Sequence, residues 1–81
     1  MIVVDASVTL EMILATDDGA RAAARLRELG EPLHAPHLID LEVLQVLRRL
    51  EGTGRISSAR ARAALGAFGS LPIRRHEHTL L

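Results

Sequence analysis

The stretch MIVVDAS, residues 1–7, decides how the rest of the chain is read. Ile2-Val3-Val4 is a continuous β-branched run with no polar alternation, which predicts a strand buried on both faces, as in a parallel sheet covered by helices. The run stops on Asp5, with Ser7 two residues on. In open α/β sheets, ligands gather in the crevice outside the carboxyl ends of the strands, so Asp5 stands where a site would be. It also stands where a helix begins, and Asp is among the best N-cap residues. On position alone, the cap is the simpler account. Ser7, in the first turn of that helix, is placed to hydrogen-bond the carboxylate or a bound water.

Working outward, Ala6–Ala15 suits a short helix with Val8, Met12 and Ala15 on one side. Asp17-Asp18-Gly19 is a turn and N-cap signal. Behind it, residues 20–29 place Ala22, Leu26 and Leu29 at helical spacing, with Gly30 as the stop. Residues 32–36 form an extended piece fenced by Pro32 and Pro36, long enough for a three-residue strand. From His37 to Glu51, Ile39, Val43, Val46 and Leu50 make one apolar stripe, widened by Leu47. Gly52-Thr53-Gly54 breaks that helix. Ser57-Ser58 caps another that runs to about Leu71, with Ala61, Ala64, Leu65, Phe68 and Leu71 inward. After Pro72, Ile73–Arg75 reads as a third short strand, and residues 76–81 start an element they do not finish. The order of strands and helices predicts an α/β fold with a parallel sheet.

With 81 residues the chain is one domain at most, and scaling alone makes its stability marginal. A chain that is 48% apolar and 25% charged has a globular balance. All ten basic residues are Arg, which reflects codon composition more than mechanism, and the formal net charge is zero. No broad field therefore steers the chain onto nucleic acid, and any such contact must be local. There is no Cys, which excludes a disulfide framework and thiolate chemistry. The N-terminus lacks the pattern of a signal peptide, and no apolar run approaches the roughly 20 residues of a membrane span. These features predict a soluble, cytoplasmic protein with no membrane partner.

A second pair of acids lies in PHLIDLEVLQVLRRL, residues 36–50. Asp40 and Glu42 are two apart, so on a helix they point roughly 200° from each other and cannot both face one ion. Asp40 lies near the helix N-terminus, where a negative charge is favoured anyway. Glu42 lies on the shoulder of the apolar stripe, either as a solvated edge residue or as a half-buried carboxylate that needs an Arg or a metal as partner. Asp5 and Glu42 together suggest a hard-cation site: Mg²⁺ or Mn²⁺ takes oxygen ligands and needs only one or two carboxylates beside water and phosphate. Such a site supports phosphodiester hydrolysis.

MIVVDASV (1–8), LHAPHLIDLEVLQVLRRL (33–50), GRISSARARAAL (54–65) and LPIRRHEHT (71–79) resemble the PIN-domain ribonucleases, specifically the VapC-type toxins of bacterial toxin–antitoxin pairs. The resemblance covers essentially the whole chain. It implies a PIN-like α/β fold, a parallel sheet flanked by helices, of which about three strands and four helices are present. It implies that residues 1–81 are one PIN-like domain truncated at its C-terminus, since two further acidic positions fall past Leu81. By the resemblance, Asp5 is the first acidic residue of a cluster that binds Mg²⁺ or Mn²⁺ to cleave RNA. Glu42 is the second, and Ser7 takes the small hydroxyl position beside them. Asp40 is a lesser candidate. The implied partners are an RNA substrate, a cognate antitoxin covering the acidic groove, and a second subunit in a homodimer. The alternative is an inactive remnant that only binds an antitoxin or a toxin subunit.

Other features carry less. His76 and His78 would share a face of an extended piece, but no Cys joins them, and His-x-His is common on surfaces. Arg48, Arg49, Arg55, Arg60 and Arg62 suit solvated helix faces, with Glu51 as a local partner, better than phosphate contacts. Without Trp or Tyr, and with Phe68 expected in the core, no base-stacking platform is present. Leu41 and Leu44 widen the stripe of the third helix enough to face a second subunit or a partner helix, or equally to pack under the further helices that the resemblance implies past Leu81.

Overall fold

The structure, a computed structural model, describes residues 1–77. Its elements run β1 (Ile2–Val3), α1 (Ala6–Ile13), α2 (Asp17–Leu29), β2 (Leu33–Pro36), α3 (Ile39–Gly52), α4 (Ser58–Ser70) and β3 (Ile73–His76). The strands form one parallel sheet in the order β1-β2-β3, with Ile2 beside Leu33 and Leu33 beside Ile73. This is the expected α/β arrangement of three strands and four helices. The start of the element expected over residues 76–81 falls largely outside the described residues.

The sheet has two unlike faces. Val4, Leu33, Ala35 and Ile73 join Ile13 of α1, Ile39, Val43 and Leu47 of α3, and Ala64 and Phe68 of α4 in one core. The alternate strand residues, Val3, His34, Arg74 and His76, lie on the other face, where all but His34 and His76 are exposed. The expectation that β1 is buried on both faces therefore fails: Val3 is 49% exposed. β1 is an edge strand, and all the core helices lie on one side of it, so only every second residue meets them.

Helix boundaries follow their caps. Thr16, not Asp17 or Asp18, caps α2, its hydroxyl accepting the Gly19 amide at 3.0 Å. Asp17-Asp18-Gly19 is thus the first turn of the helix rather than a turn before it. A Cβ at Gly19 would collide with the Glu11 carbonyl at the end of α1, so glycine is what lets α2 approach this closely. Gly30 ends α2 in the left-handed region at φ 64°, as expected. Ser57 caps α4 through the Arg60 amide at 3.1 Å.

Two apolar faces are rotated from expectation. α1 buries Thr9, Met12 and Ile13, whereas Val8 is 38% exposed and Ala15 lies past the helix end. On α4, Ala61, Ala64 and Phe68 are buried but Leu65 is exposed. The inward place expected for Val8 goes to Thr9, whose hydroxyl bonds back to the Asp5 carbonyl. Among the described residues, no helix is long and apolar enough to cross a membrane.

Candidate metal and RNA site

Asp5 is the residue on which β1 gives way to α1. Its Oδ1 accepts the Val8 amide at 2.9 Å, so the cap that position alone suggested is formed. Its carbonyl oxygen accepts twice, from the Thr9 amide at 3.1 Å and from the Thr9 hydroxyl at 2.7 Å. Thr9 is fully buried, and this bond satisfies its hydroxyl. One residue earlier, the Val4 amide donates to the His34 carbonyl at 2.8 Å, which ties the end of β1 to β2. Asp5 is thereby fixed in backbone and rotamer while its carboxylate stays exposed. The sequence reading looked to Ser7 for that support. The bonds to Asp5 come instead from Val8 and Thr9, and Ser7 is exposed beside them.

Glu42 enters from the next strand. β2 ends at Pro36, and α3 begins at Ile39 with Asp40 and Glu42 in its first turn. β1 and β2 are parallel neighbours, so Asp5 and Glu42 both belong to the carboxyl end of the sheet. Glu42 is exposed, the solvated edge of the two places its spacing left open. Among the described residues neither Asp5 nor Glu42 takes part in an ion pair.

Asp40 is different. Both of its oxygens accept from Nε of Arg75 on β3, at 3.0 and 2.7 Å. Arg75 is itself held by a bond from Nη1 to the Ile73 carbonyl at 3.1 Å, and its guanidinium lies 5.4 Å from the centre of the Phe68 ring on α4. Asp40 therefore marks the flank of α3 that faces β3 and α4. Glu42, roughly 200° further round the helix, lies on the flank turned away from β3. With β2 central in the sheet, the side away from β3 is the side of β1.

An open groove of about 420 Å³ borders Asp5 along the free edge of β1, lined also by Val3, Val8, Arg25 and Leu26. A smaller apolar cleft of about 240 Å³ lies at the other end of the strands, among Met12, Leu26, Leu33 and Leu71, away from the carboxylates. Among the described residues no three His, Asp or Glu side chains converge as a metal cage. Asp5 and Glu42 are exposed carboxylates at this end of the sheet, outside any ion pair among the described residues, a donor set that would suit a hydrated hard ion completed by water and phosphate oxygens rather than a closed protein site.

His76 faces His34 on the neighbouring strand, with Nε2 and Nδ1 2.9 Å apart and ring centres 5.1 Å apart, and His78 lies outside the described residues. That head-on contact is one N–H···N hydrogen bond. Partial burial, followed by the facing His76, Arg74 and the N-terminal amine, holds the His34 imidazole below its ordinary pKa. Of the helix arginines, Arg60 donates to the Leu14 carbonyl at the end of α1 at 3.0 Å. Arg48, Arg49, Arg55 and Arg62 are exposed.

The support residues escaped the sequence reading for two reasons. Thr9 had a local signal, a hydroxyl four residues after a strand-ending Asp, which suits a back-bond to that carbonyl. Arg75 and the His34–His76 pair had none, because their partners lie 35 and 42 residues away.

A family profile described as the PIN domain matches residues 2–79. Ribonuclease VapC12 of Mycobacterium tuberculosis is 43% identical over 75 residues, covering 93% of this chain and 57% of the relative. Ribonuclease VapC9 of the same organism is 42% identical over 76 residues, 94% of this chain and 56% of the relative. Ribonuclease VapC3 is 36% identical over 75 residues, 93% and 54%. The chain thus spans somewhat more than half the length of these curated relatives. No solved structure matches it.

Proposed function

The chain belongs to the PIN-domain family, as a protein of the VapC type, and on that premise we propose that it serves as a metal-dependent endoribonuclease toxin. One observation carries the reading: two carboxylates without ion-pair partners, Asp5 and Glu42, at the carboxyl ends of adjacent parallel strands, with the neighbouring Asp40 neutralised by Arg75. Asp5 and Glu42 hold Mg²⁺ or Mn²⁺. Such an ion, when bound, supplies a water of lowered pKa and offsets charge on the scissile phosphate. The chain's own part is to hold the carboxylates open, through the Val8 and Thr9 bonds to Asp5, and to admit RNA along the groove at β1, where Arg25 offers a phosphate contact. Ser7, exposed in the first turn of α1, supports Asp5 through a bound water in this reading. A cognate antitoxin neutralises the toxin in the cytoplasm. The exposed Leu38 and Leu41 on α3 give a homodimer or that antitoxin an apolar surface.

The test is Asp5→Asn. Asn caps a helix as well as Asp, so the melting temperature without metal is expected to be unchanged while Mn²⁺-dependent RNA cleavage disappears. In the wild type, Mn²⁺ at about ten times its Kd raises stability by about 1.4 kcal/mol, and the variant loses that gain. Cleavage at the wild-type rate by Asp5→Asn would remove the assigned role, and equal cleavage of DNA would change the substrate class. A second reading, a remnant that binds an antitoxin or toxin subunit without cutting, is favoured by the lack of a third converging carboxylate among the described residues. It predicts no metal-dependent shift in the wild type.

A further inference from the structure

We propose that Arg75 is a positioning residue for the site: by holding Asp40 toward β3, it steadies the first turn of α3 with Glu42 turned toward the β1 side, where Asp5 stands. The inference rests on the reading of Asp5 and Glu42 as the ion's ligands, and it concerns a residue 33 positions beyond Glu42 in the chain.

α3 starts without a side-chain cap, since Leu38 at its N-cap position provides none. Two contacts from β3 take that place. The His37 amide donates to the His76 carbonyl at 2.6 Å, which fixes where the helix begins. The Arg75–Asp40 pair ties one flank of its first turn to β3. The buried Ile39, Val43 and Leu47 set the general facing of the helix, and the tether on the Asp40 flank steadies its first turn within that packing. The guanidinium is fit to serve as an anchor, because the Ile73 carbonyl and the Phe68 ring hold it in place before it meets Asp40. The side chain of Arg75 is 31% exposed and that of Asp40 46%, so screening limits what the pair adds to global stability. Direction, more than stability, is what such a contact supplies. The pair also withdraws Asp40 as a competing carboxylate, leaving Glu42 as the free acid of the turn.

Positioning and simple charge predict opposite signs. Removing a cation from the neighbourhood of a metal site, with nothing else changed, strengthens cation binding. Releasing the helix weakens it. For Mn²⁺ titrated into the chain and followed by electron paramagnetic resonance, Arg75→Gln is expected to weaken binding about tenfold, the lower range for residues that orient ligands. Asp40→Asn should weaken it similarly, and the double variant no further. Exchanging the pair (Asp40→Arg with Arg75→Asp) should recover most of the loss. Unchanged or tighter Mn²⁺ binding in Arg75→Gln would overturn the proposal.

A second measurement does not need the ion. The chain has no cysteine, so Asp5→Cys with Glu42→Cys creates a single pair, and a short bis-maleimide reports their approach. Intramolecular cross-linking should be fast in this background and several-fold slower when Arg75→Gln is added. Equal rates would sink the role of Arg75. Failure of the wild type to bind Mn²⁺, with cross-linking still dependent on Arg75, would sink the metal reading and leave the positioning role standing.

Discussion

Two helices of this fold begin at the carboxyl end of a parallel strand, and they are secured there by different means. α1 is held from within: Asp5 caps it, and Thr9 one turn later bonds back to the Asp5 carbonyl. α3 is held from outside, by Arg75 and the His76 carbonyl of β3. The same strand-to-helix turn is thus solved once by neighbours in sequence and once by neighbours in space. The local solution leaves its carboxylate aimed by its own helix. The distant solution makes the aim of Glu42 depend on whether β3 is in place.

The largest effect is expected where local packing is tightest, at the start of α2. Gly19→Ala drives a methyl into the Glu11 carbonyl, and backbone cannot yield as a side chain would. The variant should lose about 3 kcal/mol, a drop of roughly 15 °C in a thermal melt for a domain of this size. A small effect would mean that α1 and α2 can slide apart, and that local tightness is not what holds the amino-terminal half together.

Next comes the cap itself. Asp5→Ala should cost about 1 kcal/mol in urea unfolding, and Asp5→Asn only a few tenths. If the two substitutions cost the same, the Val8 bond is not what holds α1 and the contrast with α3 loses its first half. For α3, Asp40→Ala and Arg75→Ala should each cost about 0.5–1 kcal/mol, and the double variant no more than either single change. Additive losses would show that the two side chains act independently, and the contact would then be incidental.

What could be read in the sequence divides along this same line. Asp5, Ser57 and Gly30 announced their roles because cap and turn chemistry is local. Parallel strands and the apolar stripe of α3 followed from short-range pattern. Two points are not legible: flanking prolines do not fix where a strand stops, so β2 runs to four residues, and period and composition do not say which sheet face is covered, so Val3 is exposed. For Glu42 the sequence leaves a solvated edge and a half-buried place both open, for the same reason: the stripe locates the helix shoulder but not the width of the covered face, and Glu42 is exposed. Arg75 offered no signal at all, since an arginine in a short strand looks the same whether it meets solvent or an aspartate 35 residues earlier. The candidate site was legible where its residues carry their own support and opaque where β3 supplies it.

The smallest expected effect tests β3's attachment through pH. The folded His34 imidazole has a lowered pKa, from partial burial and then from His76, Arg74 and the N-terminal amine. Between that value and about 6.5, the unfolded chain therefore binds more protons than the folded one, so stability rises with pH across that window. It is fully present above about pH 6.5 and declines as acid carries the solution down toward the folded value. The physical event is the charging of His34 in its partly buried place, beside the facing His76 and Arg74. Melting curves between about pH 7.5 and 5 should show a steeper decline for the wild type than for His34→Gln, which keeps a polar side chain but does not titrate. His76→Gln should flatten the curve only in part, because burial, the largest cause, and Arg74 still act on His34. Parallel curves would locate the acid sensitivity elsewhere, most simply in the carboxylates of α1 and α3, and β3 would then be joined to β2 by backbone and packing alone.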